Sequence, residues 1–332
     1  MFKEEINIIF NSFNNLRVLI IGDVMVDAYM WGKVERISPE APVPVVAVNK
    51  RENRLGGAAN VALNIQSMGA IPIICSIIGN DEKGELFIEL LKEQNITAQG
   101  IIKSKSRQTT VKTRIISSNH QLLRVDEEIE TDISTTESKQ LLNTVNDILN
   151  DQKIDVIIFE DYDKGLITPA FIDEVVSEAN KRNIPVAVDP KEKNFTSYKN
   201  IALFKPNLKE LKEGLKIDID HRNINELKKV IDSLHSSQNI NTILLTLSET
   251  GIYVSSDNIK EVVSAHLRDI SDVSGAGDTV ISVAALCLAS GISPVQIAAL
   301  SNLAGGLVCE KVGVVPIDKT RFLEETLLLF IQ

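Results

Sequence analysis

The sequence has few of the residues on which several protein classes depend. Its 332 residues include only three cysteines and four histidines, with no C-x-x-C pair and no H-E-x-x-H motif, so neither a disulfide scaffold nor a zinc site is indicated. Cys75, Cys287 and Cys309 lie in apolar segments, which favours buried, reduced thiols and predicts a cytoplasmic location. Basic residues (35) are outnumbered by acidic ones (45), and they form no cluster that would neutralise a nucleic-acid backbone.

The chain also lacks an uninterrupted hydrophobic run of membrane-spanning length. Residues 280–309 carry no charged side chain, but Gly291, Ser293 and Pro294 interrupt them. A capping serine followed by proline at the first helical position is typical of a helix start. We therefore predict two short buried helices rather than one membrane span, and no contact with a membrane. The N-terminus mixes both charge signs without a small-residue cleavage site, so we predict no signal peptide.

Motifs of several common enzyme classes are missing as well. No G-x-x-x-x-G-K-[ST] phosphate loop occurs, no G-x-G-x-x-G follows the first apolar strand, and no G-x-S-x-G elbow is present. These absences argue against a P-loop nucleotidase, a classical dehydrogenase and a serine hydrolase.

Short apolar segments alternate with helical patterns through much of the chain. Such segments stand at 17–22, 156–159, 184–189, 201–204 and 242–246, with helices predicted at 134–149 and after Thr168-Pro169. This alternation predicts an α/β fold with a mostly parallel sheet covered by helices on both faces. Segments 43–48, 110–116 and 121–126 are more polar and predict a small, half-exposed antiparallel sheet. We expect a single domain over 1–332, with a β-sheet insertion built from about 30–54 and 104–127.

The strongest candidate site is the glycine-rich turn of residues 272–279. Gly275, Ala276 and Gly277 precede an apolar helix, and a helix start presents unpaired N–H groups that can bind an anion. Asp278 would lie beside that anion, where a carboxylate can take a proton from an attacking hydroxyl group. An ordinary glycine turn capped by Asp278 explains the same pattern about equally well.

Two further segments carry polar groups suited to a sugar. Gly56 and Gly57 allow close backbone approach, and Asn60 offers a donor and an acceptor to a hydroxyl group. Asp23 and Asp27 follow the first strand, at the edge of the sheet where ligands bind in such folds. A capping asparagine and solvated loop acids are the plainer alternatives, and for Asp23 a loop role is as plausible as ligand contact.

Asn207 and Glu210 follow another strand and share one helical face. Their oxygen atoms could position Mg²⁺ and its waters, because that ion takes few protein ligands and retains water and phosphate oxygens. A helix N-cap at Asn207 is compatible with this role.

Taken in this order, the segments resemble the ribokinase-like (PfkB) sugar kinases over nearly the whole chain. Residues 56–60 and 272–279 resemble the two signatures of that family, and 206–210 resembles its N-x-x-E magnesium motif. The resemblance implies a three-layer sandwich with a small β-sheet lid. Residues 22–27, 36–46, 121–126 and 161–165 further resemble the D-glycero-β-D-manno-heptose-7-phosphate kinases of lipopolysaccharide-core synthesis.

This resemblance implies ATP-dependent phosphorylation at O1 of the heptose 7-phosphate, with Mg²⁺ and K⁺ as candidate ions. It makes Asp278 the general base and the turn Gly275–Gly277 the anion hole. The ATP and magnesium residues it implies are Asn207, Leu208, Lys209 and Glu210. The implied substrate-binding residues are Asp27, Gly56, Gly57, Asn60, Arg124, Asp189 and Lys191. Candidates for the substrate phosphate are Arg36, Lys112, Arg114, Arg124, Lys164 and Lys191, and adenine is expected near 246–251 and 302–306.

The resemblance also implies a homodimer formed through the lid. Bifunctional members of this group carry a nucleotidyltransferase domain; because no H-x-G-H-type motif is found here, we expect no such domain in this sequence. A kinase for another sugar and a catalytically silent sugar- or nucleotide-binding regulator remain open at this point. The intact Asp278 tells against the second.

Overall fold

The computed structural model describes residues 3–117, 120–220, 223–257, 259–266 and 268–330. The strands are β1 (Arg17–Gly22), β2 (Val24–Ile37), β3 (Pro44–Gly57), β4 (Ile71–Gly79), β5 (Ile101–Ser104), β6 (Val111–Ser117), β7 (His120–Glu127), β8 (Val156–Glu160), β9 (Val186–Asp189), β10 (Ile201–Phe204), β11 (Ile240–Thr246), β12 (Gly251–Ser256) and β13 (Ile259–Ser264). The α-helices are α1 (Lys3–Ser12), α2 (Ala58–Ser67), α3 (Glu82–Glu93), α4 (Thr135–Asp151), α5 (Pro169–Lys181), α6 (Leu208–Leu215), α7 (Ile224–Gln238), α8 (Ala276–Ala289), α9 (Pro294–Cys309) and α10 (Lys319–Phe330).

Nine strands of the described part of the chain form the central sheet, in the order β13-β12-β11-β10-β9-β8-β1-β4-β5. The pairs from β5 to β11 are parallel, whereas β12 and β13 add to the edge as antiparallel strands. One buried core joins the sheet to α1–α3 and α8–α10, and a second joins its other face to α4–α7. The predicted α/β class, with helices on both faces of a mostly parallel sheet, is confirmed.

A second sheet has the order β3-β2-β6-β7. The prediction that it is antiparallel is wrong at its centre, because β2 and β6 run parallel. These two strands are separated in sequence by α2, β4, α3 and β5, and a long crossover of this kind permits a parallel pair. Its strands cover residues 24–37, 44–57, 111–117 and 120–127, so the first part of the lid extends beyond 30–54 at both ends. We call this second sheet the lid.

The uncharged segment 280–309 forms two helices, α8 and α9, as predicted. Helix α9 begins at Pro294, but the Ser293 hydroxyl donates to the Gln296 side chain instead of capping a backbone N–H. Within the part of the chain that the structure describes, no helix combines the length and apolarity needed to cross a bilayer.

Local sequence signals place the ends of the elements that frame the site. Ser134 and Glu137 form a reciprocal capping box at α4, and the Thr168 hydroxyl caps α5, whose first residue is Pro169. Strands β1, β8, β9 and β10 all run in the same direction. Their carboxyl ends therefore meet at one edge of the sheet, which is where side chains following these strands are brought together.

Candidate active site

Charged side chains collect at this carboxyl edge although they are almost completely buried. Glu160 and Asp189 end β8 and β9 and are paired in register, with 1% and 3% of their surface exposed. Lys205 follows β10 and donates to Asp189 Oδ2 at 2.9 Å, with only 3% of its own surface exposed. Burial opposes the charge on Lys205, but Asp189 and Glu210 raise the pKa of its ammonium group. Lys205 therefore keeps its charge inside the protein.

Helix α8 begins beside this ion pair. Gly275 precedes it in the left-handed region, with φ of +79°, a conformation that favours glycine. A Cβ at Gly277 would stand 3.7 Å from both Asp189 Oδ2 and Lys205 Nζ, so the turn faces the buried pair across a narrow gap. The Ala276 N–H donates to the Val273 carbonyl at 3.3 Å, which leaves Gly277 and Asp278 as the first-turn donors for an anion.

The Asp278 carboxylate is held by two donors from distant parts of the chain. Asn60 Nδ2 donates to Oδ2 at 2.6 Å, and the Tyr162 hydroxyl donates to Oδ1 at 3.0 Å. Burial raises the pKa of Asp278, and nearby Asp189 adds to this, whereas the two hydrogen bonds and Lys205 act in the opposite direction. A carboxylate in this setting is poised to accept a proton.

Three oxygen atoms around Asp278 are buried and have no hydrogen-bond partner among the described residues: Asn60 Oδ1, Glu160 Oε2 and Asp189 Oδ1. Buried polar atoms are normally paired, so such a group of them indicates a place for a polar ligand. Burial, followed by the charges of Asp189 and Asp278, raises the pKa of Glu160 well above its ordinary value. A protonated Glu160 could then donate a hydrogen bond as well as accept one.

Asp27 lies on the lid, where it is 3% exposed. Arg114 on β6 donates to its Oδ1, and a Cβ at Gly56 would stand 2.3 Å from its Oδ2. Glycine at position 56 is thus required for Asp27 to occupy its place. Gly57 caps α2 with φ of +60°, and Asn60 lies in the first turn of that helix. The lid and α2 therefore bring Asp27, Gly57 and Asn60 to one side of the cluster.

Asn207 and Glu210 form a reciprocal capping box at α6, with N···O distances of 2.9 and 2.8 Å. Lys191 donates to the remaining Glu210 oxygen, Oε1. Burial opposes the charge of Lys191, but Asp189 and Glu210 raise its pKa strongly. Among the described residues, no three His, Cys, Asp or Glu side chains converge as a metal site. Each Glu210 oxygen keeps a second lone pair, so Glu210 can accept hydrogen bonds from the water molecules of a divalent ion.

Some predicted site residues lie outside this cluster. The Lys209 side chain is 80% exposed and pairs with Glu213, and Leu208 packs against the second core, because both point away from the α6 N-terminus. Arg124, on the outermost lid strand, pairs with Asp126 and is 49% exposed. Arg36 is exposed near the end of β2. The other candidate cations for a substrate phosphate are paired: Lys112 with Asp126 and Glu128, Arg114 with Asp27, Lys164 with Glu128 and Glu130, and Lys191 with Glu210.

The sequence interpretation missed three residues of the cluster. Glu160 could have been found, since it ends a buried strand at the ligand-binding edge. Lys205 stands just before the Asn207 motif, which was a usable signal. Tyr162 lies in segment 161–165, which contributes to the family resemblance, but nothing in that segment indicated its contact with Asp278, which is 116 residues away. Asp23, by contrast, accepts the backbone N–H groups of Tyr162 and Lys164 and serves the structure of that loop.

The family model of the "pfkB family carbohydrate kinase" matches residues 15–321, which include every element of the cluster. The chain belongs to the pfkB family. It is therefore a carbohydrate kinase, a phosphotransferase with an alcohol group as acceptor, and this membership implies ATP and a divalent metal ion.

Two curated relatives are similar in sequence over most of this chain. The bifunctional protein HldE of Geobacter sulfurreducens is 36% identical over 314 residues, and that of Helicobacter pylori is 39% identical over 298 residues. These matches cover 94% and 90% of this chain but only 63% and 64% of the relatives, so the chain spans less than two thirds of their length.

Solved structures confirm the ribokinase-like fold. Phosphofructokinase-2 from Escherichia coli, in its tetrameric inhibited form, matches with a TM-score of 0.76 at 18% identity, over 93% of this chain and 99% of that one. Ribokinase from Arabidopsis thaliana, complexed with ribose and ATP, matches with a TM-score of 0.70 at 15% identity and the same coverage.

Proposed function

We propose that this kinase phosphorylates O1 of D-glycero-β-D-manno-heptose 7-phosphate, giving the 1,7-bisphosphate. The observation that carries the choice of a phosphorylated sugar is the lid, in which Lys112 is in register with Asp27 and Arg114, two residues further along the same strand, donates to Asp27. The similarity to HldE proteins supports the heptose. We also propose that residues 1–332 form a single kinase domain, with the lid as an insertion.

In the proposed reaction, Asp278 takes the proton of the sugar O1 hydroxyl. The freed oxygen forms a bond to the γ-phosphorus of ATP, the bond from that phosphorus to the β–γ bridging oxygen breaks, and ADP leaves. The N–H groups of Gly277 and Asp278 would hold charge on the transferred group, where one such donor is typically worth about 3 kcal/mol of barrier. Asp27, Gly57 and the free Asn60 Oδ1 would hold the sugar hydroxyls, with Glu160 and Asp189 beside them.

We propose Mg²⁺ as the divalent ion, held through water at Asn207 and Glu210, where it would neutralise phosphate charge. Lys191 would share that task, because its ammonium group already contacts Glu210. K⁺ is proposed as a further ion; a similar structure of phosphofructokinase-2 from Escherichia coli is described as a complex with potassium. The 7-phosphate would displace a carboxylate from one of the paired cations named above, with Lys112 and Arg114 closest to Asp27 in the lid register.

The deciding experiment is phosphoryl transfer from ATP to heptose 7-phosphate, with the position of the new phosphate read by NMR. Fructose 6-phosphate, ribose and fructose serve as competing acceptors. Comparable kcat/KM for an unphosphorylated sugar would refute the assignment. Asp278→Asn should lower kcat by about 10²–10⁴-fold, the usual contribution of a general base. Asp173→Asn, an exposed residue of α5, is the matched control and should keep wild-type turnover.

We also propose a homodimer formed by the lids of two copies. The lid and the loop leading into β3 keep seven large apolar side chains exposed: Val34, Ile37, Val43, Val48, Leu122, Leu123 and Val125. An apolar surface of this kind on a soluble protein is typical of a contact with another protein. A second copy offers the same surface and can cover it by two-fold symmetry.

A further inference from the structure

Tyr162 contacts Asp278 from a loop that no site motif contains. This loop follows β8, and the Tyr162 hydroxyl lies 3.0 Å from Asp278 Oδ1 while Asn60 occupies Oδ2. The two donors approach different oxygens of one carboxylate, so they fix the plane of the group as well as its position. Each oxygen keeps a second lone pair, and the acceptor hydroxyl can bind there without displacing either donor.

The loop holds the Tyr162 ring rigidly in this position. The Tyr162 backbone N–H donates to Asp23 Oδ2 at 3.0 Å, and Asp23 is itself 5% exposed. On its other side, the ring lies under Lys191, with 5.6 Å from Nζ to the ring centroid. Tyr162 thus stands between the general base and the cation next to Glu210. Burial, followed by the charge of Asp278, raises the pKa of the Tyr162 hydroxyl well above its ordinary value, so it remains a donor at every working pH.

The charges around Asp278 determine how strongly the hydrogen bond from Tyr162 affects the protonation of Asp278. Burial and Asp189, which lies at the end of β9, favour the protonated form of the Asp278 carboxylate. Glu160, at the end of β8, also lies near it, and Asp278 raises the pKa of Glu160. Lys205, which follows β10, favours the charged form, and so do the neutral donors Asn60 and Tyr162. If the Tyr162 hydroxyl were absent, burial and Asp189 would be opposed by Asn60 and Lys205 without this hydrogen bond.

We propose that Tyr162 is a positioning residue that orients the Asp278 carboxylate and keeps it deprotonated in the presence of its acidic neighbours. This inference rests on the proposed function, in which Asp278 accepts the proton of the sugar hydroxyl. It assigns to the loop after β8 a part in the reaction that neither glycine-rich segment provides.

The test is the pH dependence of kcat/KM for Tyr162→Phe, which removes one oxygen and keeps the ring under Lys191. We expect the acid limb to move to higher pH by about one unit, since a hydrogen bond to a charged group is worth about tenfold in its ionisation. At pH values above the limb, we expect turnover to fall by less than about threefold. KM for ATP should not change. The titrating phosphate groups of both substrates affect wild type and variant alike, so only the difference between the profiles is interpreted.

Tyr198→Phe is the matched control. The Tyr198 hydroxyl also donates to a buried carboxylate, Asp161 Oδ2, at 2.8 Å, but it does not reach Asp278. Its removal should leave the acid limb where it is, even if stability falls. A pH profile of Tyr162→Phe that is lowered uniformly, or that does not move, would overturn the proposal, because a purely structural role predicts that result.

A second measurement does not depend on turnover. Aspartate labelled with ¹³C at the side-chain carboxyl gives an Asp278 signal, which is assigned by its loss in Asp278→Asn. Its titration midpoint should rise by about one unit in Tyr162→Phe. If wild type does not phosphorylate heptose 7-phosphate but this midpoint moves, the proposed substrate fails and the role of Tyr162 stands. If wild type is active and the midpoint is unchanged, only the present inference fails.

Discussion

Replacing Lys205 with methionine removes the cation that is buried among the active-site carboxylates. Methionine is close to lysine in length and leaves little empty space, so the change isolates the charge. Lys205 and Asp189 are each 3% exposed and lie 2.9 Å apart, and Glu160 beside them is 1% exposed. Removing one partner of such a buried pair leaves an uncompensated charge inside the protein. The expected loss is about 3–5 kcal/mol in the free energy of unfolding at pH 8.

The loss should depend on pH in a definite direction. Lys205 lowers the pKa of Glu160, which burial raises well above its ordinary value, so removing the lysine raises that pKa further. A group with a raised pKa in the folded state contributes stability that is present at low pH and is lost as the pH rises through that pKa. The variant therefore loses more stability than wild type as the pH increases. The gap between the two should accordingly be smaller at pH 5.5 than at pH 8.

Urea unfolding at both pH values, in EDTA and without nucleotide, measures this gap. The matched control is Lys209→Met, because Lys209 is 80% exposed and pairs only loosely with Glu213, at 3.6 Å. That change should cost less than about 0.5 kcal/mol at either pH. A loss for Lys205→Met of under about 1 kcal/mol, or one of equal size at both pH values, would refute the account of the buried cluster.

Three other predictions follow from single contacts. Gly277→Ala should fold normally, because its Cβ would stand 3.7 Å from the nearest side-chain atoms. It should nevertheless lower kcat/KM by at least about 100-fold, because the methyl group fills the gap in front of the buried ion pair. Urea unfolding measures the stability of the variant, and steady-state kinetics measure its kcat/KM. Burial, followed by the charge of Asp161, raises the pKa of Asp23 from 3.8 to about 7, so Asp23 contributes stability below pH 3.8 that is lost as the pH rises to about 7. Asp23→Asn should therefore stabilise the protein in urea unfolding by up to about 4 kcal/mol at pH 8 and by much less at pH 5. Equal gains at the two pH values would contradict this. Leu123→Glu on the lid should convert a dimer to monomers in sedimentation velocity, whereas Leu328→Glu, at a still more exposed leucine on α10, should not.

The sequence predicted well those features that are determined locally. Helices were predicted at 134–149 and after the cap Thr168, and the structure begins α4 at Thr135 and α5 at Pro169, each capped by the residue before it. The glycine-rich turn at 275–277 was likewise predictable, because glycine is itself the residue that this backbone conformation favours. The antiparallel strands β12 and β13 were not predicted. β13 is a partly exposed edge strand and has a weaker apolar pattern than a buried strand, whereas β12 is buried along its length and was overlooked.

Features that depend on the topology could not be predicted from local sequence signals. The parallel pairing of β2 with β6 depends on the intervening elements, and a polar alternating strand looks the same in either direction. The contacts of Asp278 are of the same kind, since Asn60 is 218 residues away and Tyr162 is 116 residues away. Residue type identifies Asn60 as a candidate sugar ligand, but only the fold shows that it also holds the base.

The overall charge of the chain is a poor guide to this site. A net charge of −10 suggests a surface that repels ATP and a phosphorylated sugar, and Glu160, Asp189 and Asp278 add three carboxyl groups at the point of reaction. The fold counters this with two cations, Lys191 and Lys205; burial opposes their charge, but Asp189 and Glu210 raise the pKa of both. Asp189, whose charge would repel a phosphate, thus also keeps two lysines protonated near it. Interactions in a buried site are much stronger than those across solvent, so these two local charges outweigh the more numerous exposed acids.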